Sequence, residues 1–167
     1  DWPQFLGPNR DGVYSGSDIT EAEPELIWKK NIGEGFSSPV VMGDVLFLYH
    51  RINNQERLDA IDVETGDISW SFKHETNYRD DFGFDEGPRA TPVVFGDSIV
   101  IFGAQGVLHS IDLETGKKRW RVDTHEMFNV RKGFFGASSS PLVNAGKVLL
   151  NVGGSDGAGI VAFSLDT

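Results

Sequence analysis

The sequence predicts an all-β fold built from repeated units of four antiparallel strands. The segment AIDVETGDISW at residues 60–70 recurs as SIDLETGKKRW at residues 110–120. A Ser-Pro or Thr-Pro pair recurs at Pro39, Pro92 and Pro141, with spacings of 53 and 49 residues. The 167 residues also include 20 glycines and 7 prolines, which is typical of a chain with many tight turns.

Within each unit, short apolar runs alternate with turn sequences such as Gly-Asp, Asn-Asn and Thr-Gly, as in strands joined by hairpins. The strands predicted for the first unit cover residues 39–42, 45–50, 57–62 and 68–73. The strands predicted for the second unit cover residues 92–95, 98–103, 107–112 and 118–123. Four-stranded units that repeat every 40 to 50 residues or so are typical of β-propeller blades, of which four to eight close a ring. About three blades are therefore predicted, as part of a larger ring.

The repeat divides the chain into an N-terminal segment and a series of blades. Trp28 lies 11 residues before Pro39, so it is expected on the outer strand of a blade whose other strands are missing. The predicted parts are an N-terminal extended segment (1–24), an outer strand (25–33), a first blade (37–73), a second blade (90–123) and an incomplete blade (139–167). The unpaired outer strand and the incomplete blade each leave an open strand edge, and two arrangements would cover these edges. The chain is a segment of a longer ring, or two copies associate and exchange the outer strands to make six blades.

The recurring eleven-residue segment is interpreted as structural. The Asp62 carboxylate can accept hydrogen bonds from the amides of Glu64 or Thr65, and Gly66 can take the left-handed conformation that closes the turn. The tryptophan four residues after the glycine then reaches across to the neighbouring blade. The residues assigned to this structural motif are Ala60, Asp62, Thr65, Gly66 and Trp70, with Asp112, Thr115, Gly116 and Trp120 in the second copy.

The pattern Ala-x-Asp-x-x-Thr-Gly-x-x-x-Trp resembles the tryptophan-docking repeat of the pyrroloquinoline quinone (PQQ)-like β-propellers. The resemblance covers residues 25–167. The opening DWPQFLGPNRDGV at residues 1–13 is similar to the mature start of exported bacterial members of this superfamily. This resemblance implies a bacterial protein exported to the periplasm or secreted, whose signal peptide is absent from this chain.

The superfamily contains quinoprotein alcohol dehydrogenases and non-enzymatic members such as the outer-membrane β-barrel assembly lipoprotein. In the dehydrogenases, the resemblance would imply a central PQQ, an adjacent Ca²⁺, a catalytic aspartate and commonly a pair of adjacent cysteines. This chain has no cysteine, and none of its residues can be matched to the calcium ligands or the catalytic aspartate. We therefore expect no catalytic residue, metal site or cofactor, and predict a binding or assembly scaffold. The alternative is part of a PQQ- and calcium-dependent dehydrogenase.

Two long loops are predicted to carry recognition. Trp70 and Trp120 precede the next repeat proline by 22 and 21 residues, against 11 for Trp28. The resulting loops, 71–91 and 121–140, would emerge on one face and bind a protein or a small polar ligand. The candidate ligand-binding residues are Arg79, Asp80, Asp81, Phe82, Phe84, Arg89, His125, Arg131, Lys132 and Phe134.

Several features of these loops have two interpretations. The carboxylates could bind Ca²⁺, but they lack the spacing of a calcium loop, so a solvated acidic loop is preferred; they are Asp80, Asp81, Asp85 and Glu86. His74 and His125 follow Trp70 and Trp120 at similar distances and could share a metal or acid–base site, or be ordinary surface or strand-edge histidines.

The loop phenylalanines could plug the core between blades, which is the preferred interpretation, or form an aromatic recognition surface. They are Phe82, Phe84, Phe134 and Phe135, with Phe36 in the equivalent short loop. Arg79, Arg89, Arg131 and Lys132 lie near them in sequence and would suit a carboxylate or sugar-like ligand.

Charge and hydropathy limit the partners. The formal net charge is −10, which argues against nucleic acid or anionic lipid as the main partner. No apolar run approaches the roughly 18 to 20 residues of a membrane-spanning helix. The glycine-rich segment GGSDGAG at residues 153–159 leads into another predicted strand, so it is interpreted as a hairpin loop and not as a phosphate loop.

Overall fold

The computed structural model describes residues 1–16 and 23–166, and these form three antiparallel sheets that follow one another along the chain. Each sheet is a meander in which consecutive strands pair. The all-β class and the partial propeller predicted from the repeat are confirmed.

The first blade contains four strands. Its strands are β1 (Val40–Met42), β2 (Val45–Ile52), β3 (Gln55–Asp62) and β4 (Ile68–Glu75). The last three are longer than predicted because the pairing continues to Ile52↔Gln55 and Gln55↔Glu75 at the far end of the hairpins.

The second blade repeats this pattern and is followed by one short helix. Its strands are β5 (Val93–Phe95), β6 (Ser98–Phe102), β7 (Val107–Asp112) and β8 (Lys118–Asp123). A β-bulge interrupts the β7–β8 register between Ser110 and Ile111, as one does between Ala60 and Ile61 in the first blade. Helix α1 (Thr124–Met127) is capped at its N-terminus by Asp123, whose side chain accepts a hydrogen bond from the amide of Glu126.

The third sheet has three strands. They are β9 (Leu142–Asn144), β10 (Lys147–Asn151) and β11 (Ile160–Ser164). Asn151 pairs with Ile160 at the end of the β10–β11 hairpin, so residues 153–159 form the predicted hairpin loop. The phosphate-loop alternative is excluded, because strand β11 and not a helix follows this segment directly.

Successive sheets contact each other through their first strands: β1 contacts β5, and β5 contacts β9. Two apolar cores lie between them. Side chains of β6 alternate between these cores: Ile99 and Ile101 pack on the first blade, and Val100 and Phe102 pack on the third sheet. All five residues of β6 are buried, as expected for a strand covered on both faces.

The repeated segment forms the predicted turn. Asp62 Oδ1 accepts hydrogen bonds from the Glu64 and Thr65 amides at 3.0 and 2.8 Å, and Gly66 has a φ of +75°. In the second copy, Asp112 accepts from the Thr115 amide at 2.9 Å and Gly116 has a φ of +69°.

The tryptophans contact the next blade in the order of the chain. Trp28 lies against Gly66, and Trp70 lies against Gly116. The Nε1 of Trp28 donates to the carbonyl of Val63, and Trp120 Nε1 donates to Leu165, each at 2.8 Å. Leu165 occupies the third-copy position that corresponds to Val63, so the truncated third copy receives its tryptophan in the same way.

The N-terminal part departs from the sequence expectation. Residues 25–33, predicted as an outer strand, form no strand, because no described residue supplies the third strand with which they would pair. The predicted extended segment 1–24 includes a bridge between Trp2 and Val41, but residues 4–12 form successive turns. Part of that segment, residues 17–22, lies outside the described residues.

Candidate functional site

The loop between β4 and β5, residues 76–92, is fixed at its base by Arg51. This side chain is fully buried at the end of β2. Its Nη1 donates to the carbonyls of Tyr78 and Glu86 at 2.9 and 2.8 Å, and its Nη2 lies 3.2 Å from the Glu86 carboxylate. The anchor was not predicted, although an arginine within the apolar run VLFLYHRI was a signal that could have revealed it.

Two loop carboxylates are engaged by backbone amides. Asp80 Oδ2 accepts from the amides of Phe82 and Phe84 at 3.2 and 2.8 Å. Asp85 accepts from the amides of Gly87 and Gly35 at 2.8 and 3.0 Å. The preferred interpretation of a solvated acidic loop is therefore wrong for Asp80, which is buried and shapes the turn.

Four phenylalanines from the two long loops come together on the surface. Phe82 is the centre: its ring centroid lies 6.1 Å from that of Phe84, 5.9 Å from Phe134 and 5.7 Å from Phe135. Their exposed fractions are 55, 76, 68 and 58% for Phe82, Phe84, Phe134 and Phe135. The preferred prediction that they plug the core is wrong. We call these four residues the aromatic loop surface.

Charged residues border the aromatic loop surface. The Lys132 ammonium pairs with Asp81 and lies 5.7 Å from the ring centroid of Tyr78. Arg79 donates to the Tyr78 carbonyl at 2.7 Å and is half exposed. The structure thus brings Asp81, Arg79 and Lys132 to the neighbourhood predicted from the sequence, although each already has an internal partner.

Arg89 is placed differently from the expectation of a ligand-binding arginine. Its side chain is only 8% exposed and lies 4.8 Å above the Tyr78 ring centroid and 5.7 Å from that of Phe36. Its guanidinium also donates to the carbonyls of Gly87 and Asp85. Arg89 therefore supports the loop from beneath and offers little surface to a ligand.

The two histidines predicted to be equivalent lie in different cavities. His125 and Arg131 line a cavity of about 450 Å³ beside the loop 128–141. His74 lines another cavity, of about 600 Å³, between the first two blades. A shared metal or acid–base site of these two histidines is therefore wrong. The partner of His74 is instead His109 on β7, which sequence reasoning missed; their ring centroids are 4.5 Å apart.

Within residues 1–16 and 23–166, no three His, Cys, Asp or Glu side chains are grouped so that they could hold a metal ion. The loop carboxylates point to internal amides and arginines, as described for Asp80, Asp85 and Glu86. These three carboxylates are therefore engaged by contacts within the described part of the protein. No helix in the described ranges is long and apolar enough to cross a membrane.

Comparison with known proteins places this arrangement in a family. A family model described as outer membrane protein assembly factor BamB matches residues 17–167, nearly the whole chain. The chain belongs to this family of PQQ-like β-propellers. The resemblance expected from the repeated segment is thereby confirmed.

Individual relatives include enzymes and an assembly factor. The quinohemoprotein alcohol dehydrogenase ADH-IIG of Pseudomonas putida is 36% identical over 70 residues, which are 41% of this chain and 10% of that protein. The structure of quinohemoprotein alcohol dehydrogenase from Comamonas testosteroni matches with a TM-score of 0.57 and 23% identity, over 85% of this chain and 20% of that one. BamB from Moraxella catarrhalis matches with a TM-score of 0.54 and 23% identity, over 81% of this chain and 34% of that one. The chain therefore spans between 10 and 34% of the length of these relatives.

Proposed function

We propose that this chain is part of a non-catalytic PQQ-like propeller of the bacterial cell envelope, a scaffold that binds a partner protein through the aromatic loop surface. The observation that carries the proposal is the exposure of four contacting phenylalanines on two loops. Clustered exposed aromatic side chains bordered by charged residues are typical of protein interaction sites, where aromatic residues dominate the binding energy.

The loops are built to present this surface. Arg51 and Arg89 fix the loop 76–92 from below, through contacts with Tyr78 and loop carbonyls. The second loop is attached to the second blade by a hydrogen bond from the Ala137 amide to the Ala104 carbonyl at 2.8 Å. Binding would therefore cost little ordering of the backbone, which favours recognition by a preorganised surface.

Site-specific photocrosslinking in the native host tests this role. A photoreactive phenylalanine analogue at position 84 or 134 is expected to give a defined crosslinked species that is lost when Phe82→Ser is added. The control position is Phe95, which is also exposed but lies at the end of β5, outside the aromatic loop surface. Equal crosslinking from position 95, or crosslinks that survive Phe82→Ser, would contradict the proposal.

The second candidate is part of a PQQ- and calcium-dependent quinoprotein dehydrogenase. It is favoured by the 36% identity to the quinohemoprotein alcohol dehydrogenase over 70 residues. The scaffold proposal predicts that PQQ and Ca²⁺ added to the purified protein give neither a stoichiometric absorbance change nor dye-linked oxidation of alcohols. Stoichiometric PQQ binding with alcohol oxidation would establish the dehydrogenase instead.

Location and assembly are part of the proposal. The family description names an outer membrane assembly factor, which supports a periplasmic or secreted protein. Cell fractionation with protease protection tests this placement.

Among described residues, β11 has no outer strand pairing with its free edge, which leaves room for self-association. Light scattering distinguishes a dimer of exchanged blades from a monomer.

A further inference from the structure

A cavity of about 600 Å³ opens between the first and second blades, and none of the four phenylalanines of the aromatic loop surface lines it. Its walls come from β4, β7 and β8. Three cationic side chains line it, Lys73, Lys118 and Arg121, against a single carboxylate, Glu75. This local excess of positive charge contrasts with the net charge of −10 of the chain.

The cations have few internal partners. Among the described residues, Lys73 and Lys118 form no salt bridge, and Arg121 is paired with Asp123 at 3.2 Å. The carboxylate of Glu75 accepts a hydrogen bond from Gln55 at 2.7 Å and so lies at the margin toward β3. Lys73 and Lys118 therefore carry positive charges that no carboxylate among the described residues neutralises by a direct contact.

His109 forms the inner wall of the cavity. It is 2% exposed, and its Nδ1 has no hydrogen-bond partner among the residues that the structure describes. Its ring packs against Phe72, with centroids 5.1 Å apart, and against His74. A buried polar atom without a partner requires an explanation, and no hydrogen bond at Nδ1 fixes the tautomer of this imidazole.

The blade repeat does not require these polar groups. By the repeat alignment, Tyr49, Glu56 and His74 correspond to Phe102, Gly106 and Thr124 in the second blade. In the first blade they form a closed network: the Tyr49 hydroxyl donates to Glu56 at 2.6 Å, and His74 Nε2 lies 3.1 Å from the same carboxylate. This network of Tyr49, Glu56 and His74 is specific to the first blade, and it positions His74 beside His109 of the second blade.

We propose that this cavity is a binding site for a phosphate group, held by Lys73, Lys118 and Arg121 with His109 at its inner wall. A phosphate monoester carries about −1.5 to −2 charges near neutral pH, which matches three cations better than a carboxylate does. A local basic cavity of this size suits one small anion and is compatible with a chain whose overall charge repels nucleic acid. The proposal is independent of the aromatic loop surface and of its partner.

The pKa of His109 can report whether an anion is bound in the cavity. Burial lowers its pKa to about 3, and the charges of His74, Arg121 and Lys118 contribute to the same direction. The charged or titratable groups beside it are His74 from β4 and Lys118 and Arg121 from β8, with Glu56 and Tyr49 behind His74. Lys73 and Glu75 of β4 also line the cavity. A bound anion opposes the positive neighbours, so it is expected to raise the pKa of His109 by about one unit or more.

The test is a titration of the purified 167-residue chain with inorganic phosphate, followed by the imidazole signals of His109 in NMR spectra. We expect saturable shifts and a raised pKa of His109. Sodium chloride at the same ionic strength should produce neither the saturable shifts nor the raised pKa of His109. Acetate, with one charge, should bind several-fold more weakly than phosphate.

Variants locate the site. The double substitution Lys118→Gln and Arg121→Gln is expected to weaken phosphate binding by about tenfold or more. Lys117→Gln removes one positive charge from the adjacent turn, outside the cavity, and should leave binding unchanged. If circular dichroism shows that the double variant is unfolded, Lys118→Met alone replaces it. Equal weakening by Lys117→Gln, shifts equally produced by chloride, or equally tight binding of acetate would overturn the assignment.

Discussion

The indole Nε1 of Trp120 donates a hydrogen bond to the carbonyl of Leu165, 45 residues later, at 2.8 Å. Trp28 makes the same contact with Val63. In each case a tryptophan of one unit satisfies a carbonyl in the turn of the next, and Trp70 lies against Gly116 in the same sense. At Trp28 and Trp70, the contact depends on a glycine, Gly66 or Gly116, that leaves room for the ring.

This arrangement predicts an unequal effect of two glycine substitutions. Gly116 and Gly146 have φ values of +69° and +70°, so an alanine at either position incurs a similar backbone cost of about 1–2 kcal/mol. A Cβ at position 116 would lie 2.5 Å from the Trp70 ring, whereas a Cβ at position 146 would meet nothing within 4 Å. We therefore expect Gly116→Ala to destabilise the protein by about 1–3 kcal/mol more than Gly146→Ala. Urea unfolding of both variants measures the difference, and equal midpoints would show that the ring contact contributes nothing.

The buried network of the first blade predicts a second difference, between two tyrosines. The Tyr49 hydroxyl donates to Glu56 at 2.6 Å, and burial, with the charge of Glu56, raises the pKa of Tyr49 well above its usual range. Tyr49→Phe would remove a donor from a fully buried carboxylate, so we expect a loss of about 1–3 kcal/mol.

The matched control is Tyr78→Phe, since within the described ranges the Tyr78 hydroxyl makes only a 3.5 Å hydrogen bond to the Phe134 carbonyl. Its expected loss in free energy of unfolding is below about 1 kcal/mol. Thermal or urea unfolding separates the two variants. If Tyr78→Phe were the more destabilising of the two, the Tyr49–Glu56 contact would not be the important one.

The blades were predictable because their signals are local and repeated. Proline spacing, apolar alternation and the Asp-x-x-Thr-Gly turn are properties of short segments, and the hydrogen bonds of Asp62 and Asp112 agree with them. The absent strand at residues 25–33 was not predictable in this way, since a strand depends on a partner that the apolar pattern of one segment does not reveal.

The site was only partly predictable, for a related reason. The sequence indicated which loops were long, but the exposure of Phe82 and the burial of Arg89 depend on how the loops contact each other. Likewise, His109 lies on a strand whose repeat partners are Asp59 and Val161, and nothing local indicated that it would face His74. Contacts between blades decided these placements.

The exposure of the aromatic loop surface predicts a stability result that differs from that of a core phenylalanine. Phe84 is 76% exposed, so Phe84→Ser should change the free energy of unfolding by less than about 0.5 kcal/mol. Phe102 is buried in the core between the second blade and the third sheet, and Phe102→Ser should cost about 3–5 kcal/mol or prevent folding. Thermal unfolding compares them. A large loss for Phe84→Ser would mean that the ring is part of the core and not a surface for a partner.

The depressed pKa of His109 predicts a loss of stability in acid. In the native protein, burial and then the charges of His74, Arg121 and Lys118 lower this pKa to about 3, against about 6.5 for an unfolded chain. Below pH 6.5 the unfolded chain therefore takes up a proton that the native protein does not, and stability falls as the pH falls toward 3. His109→Phe removes the imidazole that takes up this proton and keeps an aromatic ring against Phe72.

Urea unfolding between pH 8 and pH 4 tests this expectation. The difference in unfolding free energy between wild type and His109→Phe should be constant above pH 7, which serves as the internal control. At pH 4.5 the unfolding free energy of the wild type, relative to that of His109→Phe, should be about 2–3 kcal/mol lower than it is above pH 7. A difference that stays constant across the whole range would show that His109 takes up its proton at the same pH in the folded and the unfolded protein, so that its pKa is not lowered by the cavity.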